Sequence, residues 1–123
     1  MKISSRHSAI SLVLMLWLGA QAWHPARAAD HHYVFSYFVG NGEDGLHLLH
    51  STDGIKWEQI ADGKSLLKPE VGRDKLMRDP AVVQGPDGTF HMVWTVSWGE
   101  RGIGYSSSKD LINWTPQRSL PVM

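Results

Sequence analysis

The stretch YVFSYFVGNGEDGLHLLHSTDGIKW (33–57) lies without a gap over FHMVWTVSWGERGIGYSSSKDLINW (90–114) when the chain is shifted against itself by 57 positions. Val39, Gly42, Glu43, Gly45, Ser51, Asp53, Ile55 and Trp57 then meet identical residues, Val96, Gly99, Glu100, Gly102, Ser108, Asp110, Ile112 and Trp114. Eight identities in 25 ungapped positions mark an internal repeat, and a repeat decides architecture before any single segment does.

Each unit reads as strands. YVFSYFV and FHMVWTV are rich in aromatic and β-branched residues and too short for a helix. Glycine-rich turns follow, GNGEDG and WGERG, and then a second strand, LHLLHS or IGYSSS. A tight turn, TDGIKW or KDLINW, leads to a third strand such as EQIA. A four-stranded propeller blade repeats every ~40–50 residues, and a long connection over 62–77 accounts for the extra length here. The predicted fold is all-β, a β-propeller of antiparallel strands.

Outside the repeat, Lys2 and Arg6 precede an apolar stretch at 9–23, and ARAA follows at 26–29. That is the plan of a secretory signal peptide with its cut after Ala28. A second A-x-A at 20–22 lies inside the apolar stretch. A membrane-spanning helix needs about 20 apolar residues, and Ser, Gly and Gln interrupt this run. With no cysteine, the chain has no site for a lipid anchor and no disulfide. The expected division is a signal peptide at 1–28 and propeller blades at 29–123, with a secreted or periplasmic product and no membrane association after cleavage.

Processing changes the charge. All twelve acidic residues lie beyond position 29, whereas Lys2, Arg6 and Arg27 are removed, leaving nine basic residues and a net charge of −3. Such a surface has no electrostatic reason to bind nucleic acid.

The stretch LMRDPAVVQGPDGTFHMVWT (76–95) sets a charged pair at the mouth of an apolar hairpin. If the innermost strand of a blade starts at Asp79, the PDG turn lies at the far face and the SWGER loop returns beside Asp79. Asp79, the 97–102 loop, its counterpart at 40–45 and the 62–77 connection then share one rim. The turn residues Asp53, Asp87 and Asp110 take the opposite face. Inner strands line the axial channel, which puts the Asp79 carboxylate in a crowded, partly dry pocket. Pro80 is tolerated at a strand's first positions. Arg78 either holds that carboxylate ionised or binds a hydroxylated ligand with its fork of donors. A plain rim salt bridge, worth ~0–1 kcal/mol, is an equal alternative.

Other candidates carry less weight. Trp94 and Trp98 fall on one face by strand periodicity, so Trp94 packs the blade and Trp98, nearer the rim, is the better placed of the two to meet a ligand. Glu100, Glu43 and Asp44 are loop acids able to bind hydroxyls or simply to face solvent. His47 and His50 point to opposite sides of a strand, and His31 and His32 form a polar terminus, so neither a metal site nor a cofactor is expected. Ser51-x-Asp53 with Trp57, and Ser108-x-Asp110 with Trp114, are self-capped turns with a tryptophan packed across them. They resemble the aspartate boxes of sialidase-type propellers, S-x-D-x-G-x-x-W, but the Asp-to-Trp spacing is one residue shorter, which argues against a sialidase.

MRDPAVVQGPDGTFHMVWT followed by GIGYSSSKDLINW resembles the second blade of the five-bladed propellers of glycoside hydrolase family 43 and its relatives, the arabinosidase, xylosidase, levansucrase and invertase group. The stretch at 33–57 is similar to the first blade of a bacterial subset. The resemblance implies about two blades of an expected five, and an Asp of this inner strand that holds the substrate sugar and tunes the general acid, a role carried to Asp79. In that family the base is an Asp in an Asp-Pro on the first inner strand, and the acid a Glu on a later blade. Asp30 has no following proline, and the acid is expected beyond Met123. The chain is thus expected to be an N-terminal fragment of a larger enzyme.

The leading expectation is an exported glycoside hydrolase, or a piece of one, cutting O-glycosidic bonds of poly- or oligosaccharides by inversion, with Asp79 catalytic and Arg78, Trp98 and Glu100 binding the carbohydrate. The alternative is a noncatalytic carbohydrate-binding propeller module.

Overall fold

The computed structural model describes residues 31–122, so the expected signal peptide at 1–28 and Asp30 lie outside the described residues. Two antiparallel sheets account for the regular structure. The first has the order β1 (Tyr33–Tyr37), β2 (His47–Ser51), β3 (Glu58–Gln59), and the second β4 (Arg78–Gln84), β5 (Phe90–Thr95), β6 (Gly102–Ser108), β7 (Arg118–Pro121). Each strand pairs with its sequence neighbour, the meander of a propeller blade. The third strand expected at EQIA is only Glu58–Gln59, because the chain leaves the sheet in an irregular turn over Ile60–Gly63 with left-handed backbone at Ala61 and Asp62.

The repeat survives as register. Tyr33 pairs with Ser51 and Tyr37 with His47 across β1 and β2. Fifty-seven residues later, Phe90 pairs with Ser108 and Trp94 with Gly104 across β5 and β6. The two hairpins are therefore the same object, and the second sheet adds the inner strand β4 in front of it.

The core lies between the sheets. Leu48 of β2 and Leu46 just before it meet Met92 and Trp94 of β5, with Met77 just before β4 and Val96 just after β5, in one buried cluster. Burying each such side chain contributes ~1.5–3 kcal/mol. The alternation of β5, buried at Met92 and Trp94 and exposed at Val93 and Thr95, is the period-two pattern of a strand with one face covered. Gly104 makes this possible: a β-carbon there would fall inside the Trp94 indole, which lies flat against β6.

Both predicted turns are self-capped. The Ser51 hydroxyl accepts from the Asp53 and Gly54 N–H groups, and Asp53 Oδ1 accepts from Ile55 and Lys56 N–H, each at 2.8 Å. Ser108 and Asp110 repeat the pattern with Asp110, Leu111, Ile112 and Asn113. The Asn113 backbone N–H, foremost among these donors, holds the Asp110 carboxyl well below the ordinary range. These aspartates are occupied in building turns.

Candidate functional site

Arg78 opens β4 and Asp79 follows it. The register slips between Arg78 and Ala81, so Asp79 sits in a bulge, with a left-handed φ of 50°. An L-residue rarely holds that conformation, and aspartate is among the few that tolerate it. Bulges of this kind re-aim a side chain at a sheet's end. Asp79 is exposed, while Pro80 beside it is buried and its carbonyl accepts a 2.6 Å bond from the Ser36 hydroxyl of β1. The partly dry pocket expected around Asp79 is thus replaced by an open rim, since within 31–122 only two sheets surround it.

Arg78 does not pair with Asp79. Among the described residues its guanidinium turns to the first sheet instead, where Nη1 donates to Asn41 Oδ1 at 2.6 Å. The ring of Phe38 lies 5.2 Å from the guanidinium carbon and that of Trp98 4.0 Å from it. Asn41 in turn donates to Glu43 Oε1 at 3.2 Å. The Glu43 carboxyl is held below its usual range, first by its own backbone N–H and then by Asn41. The rim salt bridge is therefore absent among the described residues, and a planar cation braced between two aromatic rings takes its place.

The loops that make this cluster are pinned by backbone contacts. Gly42 accepts from the Met77 N–H at 2.9 Å. A β-carbon on Gly42, whose φ is 95°, would stand 2.7 Å from the Met77 carbonyl oxygen, so this approach requires glycine. The 62–77 connection, the 40–45 loop and the 97–102 loop thus meet at one rim. At the other, Asp87 is joined to Lys109 at 3.4 Å, as the reading of strand directions expects.

Glu100 stands apart from Arg78. Its Oε2 accepts from the Arg73 N–H at 2.7 Å, and so it fastens the connection to the 97–102 loop rather than facing the stacked guanidinium. Asp74 does the larger share of that work, accepting from Arg73, from the Ser97 hydroxyl and from the Trp98 N–H. The Arg73 side chain first, and Ser97 next, lower its carboxyl to about 2. Trp94 is buried, and Trp98 is 70% exposed in the loop beyond the end of β5, where strand periodicity no longer sets the side on which it falls.

The histidines form no metal cluster among the described residues. His47 is buried, with Nε2 2.9 Å from Asp44 Oδ2 and Nδ1 3.0 Å from the Gly63 carbonyl, which ties the 44–47 and 60–63 turns together. His50 contacts His32 on the other side of the strand.

Sequence reasoning missed Asn41, Phe38 and Asp74. A signal for one of them existed: Asn41 is the repeat equivalent of Trp98.

Residues 29–123 match the family model described as a probable glycosyl hydrolase domain, in the group related to glycoside hydrolase family 43. No curated protein matches the chain, and no solved structure does.

Proposed function

Since the chain belongs to the family of probable glycosyl hydrolase domains related to glycoside hydrolase family 43, we propose that it is an exported hydrolase of O-glycosidic bonds in poly- or oligosaccharides, in which Asp79 holds the substrate sugar. What supports this most is the rim where the two sheets meet. There a braced guanidinium and, next to it in sequence, an exposed carboxylate without a salt-bridge partner among the described residues supply a donor and an acceptor to one rim. A sugar ring offers vicinal hydroxyls of matching polarity. Trp98 adds an exposed flat surface for the ring's apolar face.

In this reading Asp79 accepts from sugar hydroxyls, Arg78 donates to them, and Asn41 with Phe38 keeps the guanidinium in place. Glu100 acts indirectly by holding the loop that carries Trp98. Asp79 fixes the ring and tunes the acid; it is neither the acid nor the base. Hydrolysis proceeds by inversion, which sets the two reacting carboxyls about 6.5–9.5 Å apart, leaving room for water. Export rests on the basic, apolar and A-x-A pattern of residues 1–28.

The test is turnover of aryl-arabinosides, aryl-xylosides and the corresponding oligosaccharides by the purified full-length protein that carries these residues, with the first-formed anomer read by proton NMR. Asp79→Asn is expected to lower turnover by roughly 100-fold with an unchanged circular dichroism spectrum. Equal rates in both proteins remove Asp79 from the mechanism. The exposure of Trp98 also suits a noncatalytic carbohydrate-binding module, for which the outcome is binding without turnover.

A further inference from the structure

Two neighbouring residues of the long connection, Arg73 and Asp74, hold the loop at 97–100 one residue at a time. Asp74 Oδ2 accepts from the Ser97 hydroxyl at 2.5 Å and from the Trp98 N–H at 3.3 Å. The Arg73 guanidinium donates to Ser97 Oγ at 3.0 Å, and the Arg73 N–H to Glu100 Oε2 at 2.7 Å. Gly99 is reached through Ser97, whose hydroxyl oxygen accepts from the Gly99 N–H at 3.3 Å. Ser97 is 4% exposed, so a hydroxyl left without these partners would be costly. An ionised carboxylate is the fitting group at position 74: it only accepts, and it meets four donors, Arg73 Nε and Nη2, the Ser97 hydroxyl and the Trp98 N–H.

The repeat shows how such a loop closes without this clamp. In the counterpart 57 residues earlier, the Gly42 N–H donates to the Val39 carbonyl at 3.0 Å, so the turn is fastened to itself. In the second repeat the matching carbonyl, that of Val96, accepts from the Leu76 N–H of the connection at 3.1 Å, and the matching N–H, that of Gly99, turns to Ser97. Ser97 stands where the first repeat has Gly40, so the hydroxyl that ties the loop to Asp74 is found only in the repeat that carries the tryptophan. The course of 97–100 is therefore imposed by residues 73–76 rather than by the loop's own turn.

We propose that Asp74 is a positioning residue that sets the angle at which the Trp98 ring is offered, and with it the affinity for the sugar, without touching the sugar itself. This rests on the reading of Trp98 as the plate for a sugar ring. A tryptophan side chain has two rotatable bonds, so fixing its backbone leaves few directions for the indole. The same ring lies 4.0 Å from the guanidinium carbon of Arg78, so one carboxylate orients the plate and, through it, backs the donor beside it. A stacking contact made alike in the ground and transition states lowers KM without raising kcat.

In the full-length protein that carries these residues, Asp74→Ala is expected to raise KM roughly tenfold for the aryl-arabinoside or aryl-xyloside that wild type hydrolyses, with kcat within a factor of about two. Asp74→Asn keeps one accepting oxygen and is expected to fall in between. Trp98→Ala is expected to raise KM to the same extent, and Asp74→Ala added to it to change nothing further, because the carboxylate then has no ring to direct. Losses that add, or a fall in kcat with KM unchanged, overturn the proposal. The near-ultraviolet circular dichroism difference between a protein and its Trp98→Phe partner reads this indole with no sugar present. That difference is expected to collapse in the Asp74→Ala background, and its survival overturns the proposal whatever the kinetics. Absence of turnover, or a wild-type KM in Trp98→Ala, defeats the sugar reading alone, and the orienting role of Asp74 is then decided by the difference spectrum. Far-ultraviolet circular dichroism checks folding, and Asp74→Asn replaces Asp74→Ala if the latter unfolds.

Discussion

Asn41 and Trp98 occupy equivalent positions of the two repeats, 57 residues apart, and both grip one guanidinium: Asn41 Oδ1 at 2.6 Å from Arg78 Nη1 and the Trp98 ring at 4.0 Å from its central carbon. The two rim loops of a duplicated hairpin have diverged into a hydrogen-bond acceptor and an aromatic plate. Together they orient a cation that belongs to the strand between them.

Arg78→Lys separates those functions. An ammonium keeps the charge but has no planar fork to lie between Phe38 and Trp98 while donating to Asn41. Oligosaccharide affinity, read by titration calorimetry, is expected to fall about tenfold, or ~1.4 kcal/mol. The stability cost is expected to be ~0.5–1 kcal/mol, the worth of an exposed cation–π contact.

Asp79→Gly distinguishes strain from function. The left-handed φ of 50° costs an L-residue ~1–2 kcal/mol and glycine nothing, though glycine gives back part of that as freedom in the unfolded chain. The variant is expected to melt within ~1 kcal/mol of wild type while losing saccharide binding. A clear loss of stability instead would mean that the carboxylate holds the bulge together.

Asp74 predicts an acid limb. Its carboxyl stands at about 2 in the folded protein against an ordinary 3.8, so the stabilisation is fully present above pH 3.8 and is lost as pH falls through about 2. Wild type is expected to lose melting temperature over that window more steeply than Asp74→Asn. The difference is expected to shrink in high salt because the group is exposed to screening.

Gly104→Ala tests the packing of the second sheet. The added methyl falls inside the Trp94 indole, and overpacking of a core typically costs ~1–3 kcal/mol. Trp94→Phe in the same chain removes the obstructing part of the ring. The double variant is therefore expected to lose less than the sum of the single losses, measured by chemical denaturation.

Much of this protein is local, and local patterns are written in the chain. Alternation at Met92, Val93 and Trp94, glycines at the loops and the Ser-x-Asp turns specify strands, reversals and a duplicated hairpin, because each depends on residues a few positions apart. The shift of 57 residues that aligns the two segments is also the shift that aligns their pairing registers. The all-β reading and the family resemblance followed from those patterns alone. Only the packed structure decided what Arg78 touches. Its neighbour in sequence, Asp79, is turned away by the bulge, whereas Asn41, 37 residues earlier, is brought within 2.6 Å because Gly42 lets two backbones approach. Exposure is likewise a tertiary matter: Trp57 and Trp114 are equivalent in sequence, and one is open while the other packs against the core, because only one of the two equivalent faces has a neighbouring sheet within 31–122.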